Sequence, residues 1–514
     1  MMATHYHAQQ FNMKWLAFCL ILSLGGGHAQ AESAAPTLPK LSQAQMLADF
    51  DQAIGFIDAF AVHKDLNALR LGIDYPGEYA RLRSMIDEGT DACEFKRIFG
   101  RALNLVQDLH ASYMDHGYLT QYGKLQSRFN IGDDESYSSV AAFDQGCPAT
   151  SAVLELPMMF INGRYVVYAD FSYQGTTVKR GAEVIRYNGQ AIAAFIRSNF
   201  DSVWPARVTP AGDIYSLKFY RAGEPEFRLG LADGRELKLN LTDSVEWTTP
   251  RKREATWSSQ TEARVLHFPE QRVLYIGIPM MDESFVETIN AEVDNLVKAG
   301  AKFDRIAIDI RGNGGGSDMT WRRVLSHLLG RKLQLALDLR MKDSELARKR
   351  YPQEAPAPAE SVAMLGGAKY RLHNGNLIEW EPDADSLNFT GPIYVLRDDY
   401  IYSSAGNLAS FAGTDPQLVS VGSTTDVVGG AQIEPLFFKL DHSGLVFRIE
   451  PALDFSAVKG IDDLAHNHVE VEIERSIDDL YLRSTFDGDI YGRDFLLNHD
   501  PLFRYVVLQS SEAD

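Results

Sequence analysis

The run Arg305-Ile306-Ala307-Ile308-Asp309-Ile310 passes straight into Gly312-Asn313-Gly314-Gly315-Gly316. No other stretch limits the fold as much. A short, near-continuous apolar run reads as a strand covered on both faces, and such strands belong to parallel sheets flanked by helices. The neighbouring pattern agrees. Val273-Leu274-Tyr275-Ile276-Gly277-Ile278 reads as the preceding strand, and Phe285, Val286, Ile289, Val293 and Leu296 line one face of a helix between the two. A helix through Trp321 and Leu325 should follow the glycines. After a proline-rich excursion from Pro352 to Pro358, Ile393-Tyr394-Val395-Leu396 forms a third strand. Ser403 to Ala412 should then be helical, and Leu418-Val419-Ser420-Val421 a fourth strand. Alternating strands and helices predict a mostly parallel α/β core over residues 260–510.

Upstream the period changes. Met46, Phe50, Ile54, Ile57 and Ala61 recur at helical steps, as do Phe95, Phe99, Ala102, Val106 and Leu109. This predicts a helical domain of three helices over 32–120, broken at Tyr75-Pro76-Gly77 and ending in Asp108-Leu109-His110. From Tyr165 to Val245 short strand-like runs alternate with turns. Asn188-Gly189 and Asp233-Gly234 are strong hairpin signals, so residues 150–250 read as a β-rich module. Residues 120–160 carry no assignable pattern.

The first 31 residues read as a secretory signal peptide: Lys14, the apolar run Trp15 to Leu24, three glycines, and the small-residue site Ala29-Gln30-Ala31. The apolar run is about half the ~20 residues that span a bilayer. Cleavage removes Cys19 and leaves Cys93 and Cys147, two of the 3 cysteines, whose pairing remains open. The expected location is periplasmic or extracellular, with no membrane span in the mature chain. A formal net charge of -19, from 50 Lys+Arg against 69 Asp+Glu, argues against a nucleic-acid partner, which requires a basic face.

In an α/β core the chemistry lies at the carboxyl ends of the strands. The glycine run after Ile310 is one such end. Glycines let backbone amides converge on a ligand, either a phosphate or an oxyanion. No Lys-Ser/Thr follows them, so this is not a P-loop. The second end is Tyr402-Ser403-Ser404-Ala405-Gly406, opening a helix. A serine there is a helix cap or a nucleophile. A nucleophilic serine requires a base, and His110 beside Asp108 is the candidate that stands out.

The order of these features resembles the tail-specific (C-terminal processing) serine peptidases, in the branch that includes the tricorn protease and the repeats of interphotoreceptor retinoid-binding protein. Asp309-Ile310-Arg311-Gly312-Asn313-Gly314-Gly315-Gly316 is similar to that family's strand-and-glycine motif. Tyr402-Ser403-Ser404-Ala405 is similar to its nucleophile motif, Asp108-Leu109-His110 to its Asp-Gly-His, and Arg180 to Gly189 to its PDZ-type module. The resemblance implies a ClpP/crotonase-like α/β core with an N-terminal helical domain and a PDZ-like β module. It implies Ser403 as nucleophile, with Ser404 as the register alternative, and His110 as general base. The amides of Gly315 and Ser404 would form the oxyanion hole. Val428 stands where many relatives carry the lysine of a Ser-Lys dyad, so the Ser-His version is preferred. Asp462 or Asp463 is expected to orient the base, with Glu450 as another candidate. Three positions depart from the family pattern: Leu109, Gly406, and Lys459-Gly460-Ile461-Asp462 in place of a Trp-Glu-Gly segment. The implied activity is a secreted endopeptidase acting on protein or peptide, with no metal or organic cofactor. The alternatives are a non-catalytic peptide- or ligand-binding protein on the same fold, and an esterase or amidase of small substrates.

Overall fold

Strand Arg305–Asp309 lies third in a six-stranded sheet. In order, the sheet is Arg264–Phe268, Val273–Gly277, Arg305–Asp309, Ile393–Arg397, Leu418–Gly422 and Val471–Glu472. The first pair is antiparallel and the rest are parallel. The structure is a computed structural model describing residues 37–122, 138–147, 156–217, 226–240, 246–247, 262–367, 371–426, 435–456 and 458–509. The leader expected at 1–31 and Val428 lie outside these residues.

Side chains alternate across the sheet with period two. Leu274, Ile276, Ile306, Ile308, Ile393 and Val395 face one layer, where helices Ser284–Lys298, Asp318–Leu328 and Ser404–Ala412 cover them. Val273, Tyr275, Ala307, Tyr394 and Leu396 face the other, under helix Pro501–Leu508. This two-sided cover is why the middles of the central strands are apolar on both faces, and it makes the core an α/β fold.

The N-terminal region has four helices where the periodicity predicts three: Gln43–Phe60, Val62–Leu71, Tyr75–Arg83 and Ala92–Asn104. Ser42 and Gln45 form a capping box on the first. Tyr75-Pro76-Gly77 opens a helix and does not break one. Asp74 accepts from the Gly77 N–H, and Pro76 sits in the first turn, where its missing N–H has no intrahelical partner to lose. The fourth helix stops at Asn104 because Gln107 turns left-handed, at φ 57°. Val106 and Leu109 are therefore outside it, and His110 lies in a turn beyond the helix. Cys93 and Cys147 form a disulfide.

The next region is an antiparallel sheet in the order Glu236–Asn240, Glu226–Leu231, Glu183–Tyr187, Arg164–Val167 and Met158–Ile161. Asn188-Gly189 joins Glu183–Tyr187 to Gln190–Ala191, and Asp233-Gly234 joins Glu226–Leu231 to Glu236–Asn240, as their turn chemistry predicts. The stretch between helix Asp318–Leu328 and strand Ile393–Arg397, where no strand is expected, holds a long antiparallel ladder. Leu333–Lys342 and Arg371–Trp380 pair over ten residues each, flanked by Ala355–Pro356 and Ala452–Asp454. No helix among the described residues is long and apolar enough to cross a membrane.

Candidate active site

The glycine loop is held between two other strand ends. Met281 donates to the Gly315 carbonyl at 2.9 Å, and Ser317 donates back to the Met281 carbonyl at 2.7 Å. On the other side Tyr402 donates to the Asn313 carbonyl at 3.0 Å. Gly315 adopts φ +95°, and a Cβ there would lie 2.6 Å from both the Ser403 Cβ and the Tyr402 carbonyl oxygen. Gly316 adopts φ +137°, and a Cβ there would lie 2.2 Å from the Met281 carbonyl oxygen. Both positions require glycine, by conformation and by space.

Beneath the loop, the Arg311 guanidinium grips Asp309 through two hydrogen bonds of 2.9 and 2.6 Å and Asp500 through one of 2.7 Å. The Tyr275 hydroxyl donates to Asp309 at 2.9 Å. Burial alone would raise the Asp309 carboxyl, but Arg311 outweighs it and holds the group below its ordinary range. Asp309 and Arg311 thus anchor the loop.

Ser403 sits on a sharp turn between strand Ile393–Arg397 and helix Ser404–Ala412. Its φ of 53° and ψ of -125° are unusual for a residue with a side chain. The turn leaves Ser403 partly exposed at the helix N-terminus, while Ser404 is buried and its hydroxyl has no hydrogen-bond partner. The helix is tied back to the glycine-loop helix by Asn407, which donates to Asp318 at 3.1 Å.

His110 reaches this turn through a strand register. Ser112 pairs with Arg448 and Tyr113 with Phe447, antiparallel. Continued by two residues, that register sets His110 opposite Glu450. The His110 Nδ1 lies 3.5 Å from Glu450 Oε2, and both residues are buried. The imidazole packs against the Tyr402 ring with centroids 4.7 Å apart, bringing it to the residue preceding Ser403. The Asp108 carboxylate accepts the His110 backbone N–H at 3.1 Å. Burial holds the imidazole well below its ordinary value, and the charges of Arg448 and His63 push the same way. Burial likewise raises Glu450 well above the carboxylate range, with Asp108 adding to it.

Asp462 and Asp463 do not join His110. Asp462 is bound to His466 and His468, and Asp463 accepts the Lys459 and Gly460 N–H groups at a helix start. Among the described residues, Glu450 is the carboxylate within ion-pair reach of His110. The Gly315 N–H also differs from expectation: it donates to the Asn313 Oδ1 at 2.8 Å. Asn313 is fully buried, and its Nδ2 donates to the Ile278 carbonyl at 2.9 Å. Asn313, Tyr402 and Arg448 were missed as contributors. The one available signal was the asparagine embedded between glycines.

The sequence model of peptidase family S41 matches residues 272–461, which span the glycine loop, the Ser403 turn and Glu450. No curated protein sequence matches the chain. Among solved structures, mature CPAF is 12% identical over 86% of this chain and 95% of its own, with a TM-score of 0.53. Mature CPAF complexed with lactacystin is 11% identical over 86% of this chain and 96% of its own, with a TM-score of 0.52. The tricorn protease is 14% identical over 90% of this chain and 36% of its own, but its TM-score is 0.36, so the shared architecture rests on CPAF.

Proposed function

Because the chain is a member of peptidase family S41 and so a serine peptidase, we propose that Ser403 is its nucleophile, His110 its general base and Glu450 the carboxyl that orients the base. His110 takes the Ser403 proton as the hydroxyl oxygen attacks the peptide carbonyl. The protonated imidazole then gives that proton to the leaving amine, and water hydrolyses the acyl-enzyme. The Ser404 N–H, at a helix N-terminus, is the first oxyanion donor. The Gly315 N–H becomes the second when it turns from Asn313 Oδ1 towards the developing charge. The observation that carries the reading is the His110–Glu450 pair packed against the residue before Ser403.

The substrate class we propose is protein or peptide. The sheet at 158–240 would take an extended peptide as an added strand, in the manner of PDZ-type recognition. Secretion to the periplasm or the medium is supported by the leader-like first 31 residues and by the Cys93–Cys147 disulfide, a bond that persists in oxidising compartments. The engaged Gly315 amide favours one second reading, a peptide-binding protein that no longer turns over.

The test is intact-mass analysis after treatment with a fluorophosphonate. A single adduct is expected on the wild type and none on Ser403→Ala or His110→Ala. An adduct that survives Ser403→Ala overturns the nucleophile, and no adduct on folded wild type favours the binding reading.

A further inference from the structure

Asp462, His466 and His468, left without a place in the catalytic site, form a cluster of their own. Helix Ile461–Ala465 sets Asp462 one turn before His466, and His468, just past the short strand His466–Asn467, brings its ring to 5.8 Å from that of His466. Asp462 Oδ1 lies 2.8 Å from His466 Nδ1, and Oδ2 lies 3.0 Å from His468 Nε2. One ligand atom from each residue falls within 4.8 Å of the others.

The hydrogen-bond roles around His466 do not balance for a neutral ring. Its Nε2 lies 2.7 Å from the Val208 carbonyl oxygen, which only accepts, so Nε2 carries a hydrogen. In the neutral ring Nδ1 is then a bare lone pair, 2.8 Å from a carboxylate oxygen. Two acceptors at that distance call for positive charge between them, either a second proton or a metal ion. A backbone carbonyl fixing the far nitrogen is also the usual support of a metal-bound histidine. Two imidazoles and one carboxylate suit a borderline ion such as zinc.

We propose that Asp462, His466 and His468 bind one divalent transition-metal ion of the zinc class, with the remaining position left to solvent. The ligand atoms part by a few tenths of an ångström to hold the ion at about 2.0–2.2 Å. The entry path is open, since the side chains of Asp462 and His468 are 61% and 46% exposed. The site bears on the nucleophile helix through Asn467, between the two histidines. The Asn467 Nδ2 donates to the Gly406 carbonyl at 3.3 Å and to the Ser410 hydroxyl at 2.9 Å. The buried Arg397 donates to the Asn467 and His468 carbonyls from below. A bound ion therefore stiffens the segment that backs the helix carrying Ser403 at its start.

The experiment is calorimetric titration of the tag-free, chelator-treated chain with zinc chloride, repeated on His468→Ala, Asp462→Asn and the exposed control His442→Ala. One ion per chain is expected. Loss of a ligand should weaken binding on the order of 100-fold or more, since even second-shell changes cost about 10–100-fold. The control should bind as wild type, and zinc should raise the Tm of wild type and control but not of the two ligand variants. No binding by the folded wild type, or binding that both ligand variants retain, overturns the proposal. Should either variant fail to fold, cobalt titration of the wild type decides. Tetrahedral visible bands support the site, and octahedral cobalt overturns it.

Discussion

The two halves of the proposed catalytic arrangement, the Ser403 side and the His110 side, are built differently. On the nucleophile side the backbone of the glycine loop is tied down, although the Ser404 hydroxyl and the Asn407 Oδ1 are buried without a partner. The glycine loop is hydrogen-bonded to Met281 on one side and to Tyr402 on the other, over an Asp309–Arg311–Asp500 network. On the base side, His110 Nδ1, Glu450 Oε2 and Asp108 Oδ2 are all buried without a hydrogen-bond partner. Buried unpaired polar atoms are costly, and native structures keep few of them. The contrast assigns different work to the two sides. The first presents fixed backbone geometry to the reacting carbonyl. The second holds an acid and a base close but not joined, in a dry site where a proton transfer is felt strongly. Catalytic hydrogen bonds are often long before substrate binds.

The largest effect expected is on the nucleophile. Ser403→Ala should lower kcat for peptide hydrolysis by about 10⁴-fold or more, with the Tm unchanged. Residual turnover above that level would move the chemistry to another residue. Gly315→Ala keeps the N–H but should push it out of line by strain at φ +95° and by the clash with Ser403, costing up to about 10²–10³ in kcat, the typical loss of an oxyanion donor. It should also lower the Tm, because the added methyl meets the Ser403 Cβ and the Tyr402 carbonyl. A variant with normal activity and normal Tm would mean that the loop is pliable and the contrast between the halves is false.

On the base side, Glu450→Gln should lower kcat about 10²-fold, less than the ~10⁴ known for a fully engaged triad acid, because the resting pair is 3.5 Å apart. Its effect on stability has a defined sign. The Glu450 carboxyl is raised in the folded state, so its favourable term is present below the unfolded value of about 4.3 and is lost as pH rises through the folded value. Glutamine does not titrate. The variant should therefore match the wild type in Tm near pH 4 and exceed it increasingly towards pH 7. Equal melting curves at both pH values would show that the carboxyl is not held protonated.

The same contrast explains what was legible. Strand Arg305–Asp309 could be read because burial on both faces writes itself into every position. The Ser403 turn and the glycine loop could be read because both lie at the end of such a strand. His110 was visible only as a residue type, and its position was misjudged by one irregular turn at Gln107. Of the carboxylates expected to orient the base, Asp462 and Asp463 lie away from His110 and Glu450 lies opposite it, because the deciding information is a register. Two residues, Ser112 and Tyr113, pair with Arg448 and Phe447, and a strand that short leaves no periodic trace. The Leu333–Lys342 strand was legible too, since Leu333, Leu335, Leu337, Leu339 and Met341 alternate with Gln334, Ala336, Asp338, Arg340 and Lys342, the pattern of a half-buried strand.

The smallest effect expected separates geometry from chemistry at Ser403. Its positive φ with ψ of -125° is a sparsely populated conformation that costs a residue with a Cβ about 1–3 kcal/mol, and glycine bears little of that cost. Ser403→Ala keeps the Cβ and so should keep the strain. Ser403→Gly removes both the hydroxyl and the strain. It should be as inactive as the alanine variant but more stable by about 1 kcal/mol, after the entropy that glycine adds to the unfolded chain is deducted. Denaturant melts of the two inactive variants, compared at constant m, measure this difference directly. If glycine is no more stable than alanine, the turn is not strained. The fixed character of the nucleophile side would then come from the hydrogen bonds around the glycine loop alone. If it is more stable, the chain holds its serine in an unfavourable conformation that only the hydroxyl's function explains.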